Sequence, residues 1–147
     1  MLVADLDVYA PQSVRIARLL DLQDADDMSD AQLARKVGEG LPSNTAERLF
    51  QQFPTARDVI PEATLRRARA GQKPLSREHS ERLYEMSRVI DAALRAYGDN
   101  HALAVAFLTR PHPLLEGETP IALARMSSAG TDAVVALIGR AQAGVAL

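Results

Sequence analysis

The chain has 147 residues, 17 Lys plus Arg against 19 Asp plus Glu for a formal charge of −2, and no cysteine. The length suits one domain with a real core, the charge confines any nucleic-acid role to a local patch, and the missing thiols exclude a disulfide framework, a thiolate metal site and a cysteine nucleophile. Asp5 and Asp7 stand where a secretory signal needs basic and then apolar residues, and no segment approaches the length of a membrane span, so the expectation is a soluble cytoplasmic protein without membrane contact.

Helix signals recur along the chain while alternating strand-type runs are nearly absent, which predicts an all-α fold. Val14, Ile16, Leu19 and Leu20 give a first helix over Gln12 to Leu22 an apolar side, and the acidic loop Asp24 to Asp27 reads as solvated. Ser29 or Asp30 caps a second helix through Val37, stopped by Gly38 and Gly40. Asn44 with Glu47 predicts a capping-box start for a helix carrying Leu49, Phe50 and Phe53, ended by Pro54. Pro61 at a first helical position opens Glu62 to Ala70, closed by Gly71, and the two short helices across a turn read as helix-turn-helix.

Ser76 opens the longest helix, to Tyr97, with Leu83, Met86, Ile90, Leu94 and Tyr97 as one stripe and Glu78–Arg82 and Asp91–Arg95 as acid-before-base pairs on the other face. A stripe this apolar is also a candidate homodimer seam. Asp99 or Asn100 caps the next helix, through Leu108 and Arg110, which Pro111 and Pro113 prevent from continuing. Thr119 before Pro120 starts the penultimate helix, and Gly130 to Ala143 forms the last, closed by Gly144. The subdomain boundary falls near Gly71 to Ser76, giving a helical region over 1–73 with the helix-turn-helix-like pair, and a small helical domain over 74–147.

Between Thr64 and Arg77 the residues Arg66, Arg67, Arg69, Lys73 and Arg77 carry five positive charges and no acid. A recognition helix places its phosphate and base contacts in such a position, whereas a plain helix C-terminus also favours cations. His79, His101 and His112 are isolated, with no spacing that puts two ligands on one helical face, so cap-adjacent or surface roles fit them better than metal binding. His112, in a rigid loop between two prolines, is the best of the three for a contact. Glu116 and Glu118 flank Gly117, which favours a polar turn over an acid–base pair. No phosphate loop, dinucleotide fingerprint or nucleophile elbow occurs, and neither catalytic residues nor a cofactor or metal is expected.

The end of the chain is apolar in a different way: Ile121, Leu123, Val134, Val135, Leu137 and Ile138 are core candidates, but the finish from Gly139 to Leu147 has small residues and a single charge, Arg140. Such a tail suits a partner's cleft. Phe107-Leu108, then His112-Pro113-Leu114-Leu115-Glu116-Gly117-Glu118-Thr119-Pro120, then Gly130, Val134, Leu137 and Gly144 together resemble the signature of the Xre/MbcA/ParS-type antitoxins. That signature is an aromatic-Leu pair, Asn-Pro-x-Leu-x-Gly-x-x-Pro, and a last helix with Gly, Val, Leu and Gly at these intervals. Upstream, Leu65-Arg66-Arg67, the Gly71 to Leu75 turn and Glu81-Arg82-Leu83 are similar to the family's helix-turn-helix end and central helix. Phe107 replaces a common Trp and His112 a common Asn.

The resemblance implies a type II antitoxin, most like a ParS antitoxin, whose partner is a RES-domain toxin that degrades NAD or transfers ADP-ribose to a protein. The expected toxin-binding set is His112, Leu115, Glu116, Thr119, Arg125, Arg140, Gly144, Val145 and Leu147, with the C-terminal segment blocking the toxin's active site. Arg66, Arg67, Arg69 and Lys73 form the set for promoter DNA, the basis of an alternative reading as a transcriptional repressor.

Overall fold

The computed structural model describes residues 10–144, and among these every regular element is a helix. In chain order α1 covers Gln12–Leu19, α2 Asp30–Glu39, α3 Ser43–Gln52, α4 Glu62–Ala70, α5 Arg77–Ala96, α6 His101–Leu108, α7 Pro120–Met126 and α8 Ser128–Gln142, with 3-10 turns at Ala25–Asp27, Pro54–Val59 and Pro113–Leu115. The all-α expectation therefore holds. α5 is the axis of the molecule: α1, α2, α6, α7 and α8 all pack against it.

Most starts and stops follow local chemistry, and the exceptions have identifiable causes. α1 ends at Leu19 rather than Leu22, because Asp21 turns to φ 52° and the N–H groups of Asp21 and Leu22 return to the carbonyls of Arg18 (3.0 Å) and Ala17 (2.9 Å). This paired closure satisfies carbonyls that the last turn leaves open. The acidic loop is not merely solvated, since Asp26 accepts from Arg18 Nε at 2.9 Å. Ser29, not Asp30, caps α2 and does so reciprocally: its hydroxyl accepts from Gln32 N–H at 3.1 Å, and its own N–H donates to Gln32 Oε1 at 2.8 Å.

Gly38 lies inside α2, and Gly40 ends it at φ 110°, where an added Cβ would stand 2.5 Å from the Leu75 carbonyl oxygen. The close approach lets Leu75 N–H reach the Leu41 carbonyl (2.8 Å) while the buried Ser80 hydroxyl takes the Leu41 N–H (2.8 Å), fastening the α2–α3 connection to the start of α5.

The capping box expected at Asn44 and Glu47 does not form. Pro42 occupies the N-cap with no side-chain cap, α3 begins at Ser43, and Glu47 pairs instead with Arg69 across to α4. Pro61 sits at the N-cap of α4 rather than inside it, and its far end turns at Gln72 (φ 52°), with Gly71 still right-handed. Between α3 and α4 run residues 53–61, most of them the 3-10 turn Pro54–Val59, a longer link than the three- or four-residue turn of a helix-turn-helix.

The α5 stripe is used within the chain: Leu83, Met86 and Ile90 are fully buried and Leu94 nearly so. The homodimer expectation thus loses the surface on which it rested. Asp91 is likewise on the inner side and pairs with Arg15 of α1, Nε to Oδ1 at 2.8 Å and Nη2 to Oδ2 at 3.1 Å, rather than with exposed Arg95. Buried apolar residues from Ile16 to Ile138 make one continuous cluster spanning both expected regions.

Candidate functional site

Between α6 and α7 the chain makes a small closed loop. Two prolines bar a helix there, and the backbone instead hydrogen-bonds to itself: His112 N–H to the Glu118 carbonyl (3.1 Å), Gly117 N–H to that of His112 (3.0 Å), and Glu118 N–H to that of Leu115 (3.0 Å). Glu116 and Gly117 take φ 56° and 84° to close the turn. His112 caps the 3-10 turn through Nδ1, which accepts from Leu114 N–H at 3.1 Å, and its ring stands edge-on to Phe107 with centroids 6.2 Å apart. All three histidines are terminus-adjacent: His79 meets the Ser76 cap of α5 (3.0 Å), and His101, at the start of α6, stacks on Phe53 at 4.8 Å.

The expected contact residues divide by what holds them. Leu115 is buried and anchors the loop in the core, while its neighbour Leu114, which the sequence reading passed over, is 55% exposed. Glu116 is exposed, and Thr119 is occupied as the cap of α7, accepting from Ala122 N–H at 3.2 Å. Arg125 reaches away from the loop to Asp58 Oδ2 of the second 3-10 turn (3.1 Å). Arg140 and Gly144 are exposed at the far end of α8; Val145 and Leu147 lie outside the described residues.

α7 and α8 are joined through a single residue, Ser127, whose hydroxyl caps α8 by accepting from Gly130 N–H at 3.1 Å, so α8 starts two residues before the expected Gly130. Gly130 is packed on α7 so tightly that a Cβ would come 1.9 Å from the Leu123 carbonyl oxygen. Val134, Leu137 and Ile138 bury the inner face of α8. Arg88 of α5 fixes its outer edge, bonding Glu85 Oε2 at 2.9 Å and Asp132 Oδ1 at 3.2 Å. Partial burial works against the Arg88 charge, but the Glu85 carboxylate and the hydrogen bond to Asp132 outweigh it and hold the guanidinium above its ordinary value. Near the end of α8, Tyr97, Phe107, Ile138 and Ala141 line an apolar hollow of about 160 Å³. The loop and the end of α8 therefore share Phe107 as a common wall.

The basic set stands apart. Arg66, Arg67, Arg69 and Lys73 are all exposed on or just after α4; Arg69 is engaged by Glu47, whereas Arg66, Arg67 and Lys73 form no ion pair among the described residues. α1, α2 and α5 border a groove of about 690 Å³ lined by Ile16, Leu33, Tyr84, Glu81 and Arg77, the last of the five basic residues, which pairs with Glu81 at 3.2 Å; burial chiefly pushes the Tyr84 hydroxyl up there, against a lowering by Arg88. Among the described residues no group of three His, Asp or Glu is placed to hold a metal ion, and no helix is long and apolar enough to cross a membrane.

No curated protein matches this sequence. Residues 92–144, which hold the closed loop, α7 and α8, match the model of the antitoxin Xre/MbcA/ParS C-terminal toxin-binding domain, and this likeness supports an antitoxin role with a toxin as partner.

Proposed function

We propose that the protein is the antitoxin of a type II pair and that it neutralises a RES-domain, NAD-consuming or ADP-ribosylating toxin in the cytoplasm by covering the toxin's active site, acting as an inhibitor and not as an enzyme. The observation that carries this reading is the toxin-binding-domain match over 92–144. The exposed Arg140 and Gly144, leading off a helix whose inner face is fully committed to the core, supply a rigid base from which the C-terminal segment reaches into a cleft. Arg140 then meets an acidic group of the toxin or stands where a cofactor-binding cation would. Removing residues 139–147 abolishes rescue of growth when toxin and antitoxin are co-expressed; full rescue by the truncated protein refutes the blocking role of that segment. Light scattering on the purified complex reads whether it is built on a homodimer.

A second activity, repression of promoter DNA, is favoured by one specific observation: Arg66 and Arg67 on α4 and Lys73 just after it are exposed without carboxylate partners among the described residues. Guanidinium groups left free in this way release counterions on meeting phosphate. The Arg66→Ala, Arg67→Ala double variant then binds upstream DNA more weakly and loses about two units of salt slope. Absence of salt-dependent retardation by the wild type rules this role out.

A further inference from the structure

The loop between α6 and α7 contains two adjacent leucines with opposite fates. Leu115 is 7% exposed and Leu114 is 55% exposed, because a 3-10 turn of this length, pinned by the His112 cap and by three backbone bonds across its neck, directs only one of the two into the core. An exposed leucine on a mobile segment would lose conformational freedom on being captured. The backbone of this one is already held, so that part of the cost is met before any encounter.

Leu114 is followed by Glu116 and Glu118, both exposed and neither in an ion pair among the described residues. From α5 onward most other carboxylates are paired, Glu78 with Arg82, Glu81 with Arg77, and Glu85 and Asp132 with Arg88, exposed Asp99 being the exception. Two other large apolar side chains in the matched stretch are also exposed, Leu103 at 50% in the first turn of α6 and Met126 at 62% at the end of α7. Neither has that setting. Leu103 stands on a helix flanked by alanines, and Met126 shares a shallow hollow with Arg82 and Arg125, whose charges are already met by Glu78 and Asp58.

We infer that the His112–Glu118 loop is a docking knob in which Leu114 is the anchor, and that the surface receiving it on the toxin is an apolar socket rimmed by lysine or arginine. This rests on the antitoxin reading above and adds the contact itself and its chemistry. Charge complementarity selects that partner, since the two carboxylates lack a cation within the protein and gain one only across an interface. Leu115, Pro113 and His112 act as positioning residues behind the anchor.

The test uses the full-length chain co-expressed with the product of the adjacent open reading frame as the candidate toxin, with affinity measured on the separately purified partners. Leu114→Ala weakens the complex at least tenfold and Leu114→Asp prevents its isolation, while Leu103→Ala and Met126→Ala stay within about twofold of wild type. Unchanged thermal melts of the Leu114 variants exclude unfolding as the cause, as expected for a half-exposed side chain. The Glu116→Gln, Glu118→Gln double variant weakens binding several-fold and flattens its dependence on salt. Wild-type affinity in Leu114→Asp overturns the anchor, and an unaltered salt dependence in the double variant overturns the cationic rim. A wild-type chain that captures no toxin at all instead overturns the antitoxin reading.

Discussion

Helices α4 and α8 both carry arginine in their last turn, yet they are built in opposite ways. α4 buries one residue, Leu65, and packs mainly on α3; α8 buries Gly130, Thr131, Val134, Leu137 and Ile138 and lies along both α5 and α7. At about 2 kcal/mol per fully buried aliphatic side chain, α8 draws about three times the stabilisation of α4 from its large aliphatic residues alone. The basic helix is thus a lightly attached display of charge, whereas the C-terminal helices are part of the frame.

The sharpest way to break this contrast is to crowd the frame where it is tightest. Gly130→Ala puts a methyl group against the Leu123 carbonyl, a backbone group that cannot swing aside, and should cost more than about 3 kcal/mol in chemical denaturation. A loss smaller than that of Leu65→Ala would invert the ranking of the two helices.

Next in size is Asp91→Ala, which strands Arg15 at 15% side-chain exposure; removing one member of such a pair costs about 3 kcal/mol. The cost should appear as a lowered midpoint for the whole molecule, with α1 losing amide protection together with α5, and separate loss of α1 alone would show that the pair does not couple them. Thr119→Ala removes the cap of α7 and should cost about 1 kcal/mol by the same denaturation assay. At the small end, Arg66→Ala with Arg67→Ala should leave the unfolding free energy within about 0.5 kcal/mol, since both side chains are exposed and form no ion pair among the described residues. A larger shift would mean that α4 belongs to the frame after all.

Much of the fold was legible because its signals are local. Ser76, Asn100 and Thr119 cap the helices they were expected to cap, and the three-and-four spacing of Leu83, Met86 and Ile90 marks a buried side. What escaped depends on contacts distant in sequence. Asp91 has an acceptable partner four residues away, and nothing in the chain reveals that its side chain points inward to Arg15, 76 residues earlier. The Asn44–Glu47 motif was overridden by Pro42, which moved the helix start. At the site, the loop was legible as a rigid turn from its prolines and Gly117, but which leucine it would bury was not. Periodicity has no purchase on a three-residue 3-10 turn, so Leu115, expected as a contact, is buried, and Leu114, given no role, is the exposed one.

Ser127 is at once the last residue of one helical segment's exit and the cap of the next, with no spare residue on either side. A corner of this kind has no slack for insertion or deletion: one residue added at the start of α8 would rotate everything downstream by about 100° about the helix axis and swing its inner face off the core. Length variation among homologous sequences should therefore collect in connections such as residues 20–29 and 53–61, while the passage from Met126 to Ser128 keeps a constant length.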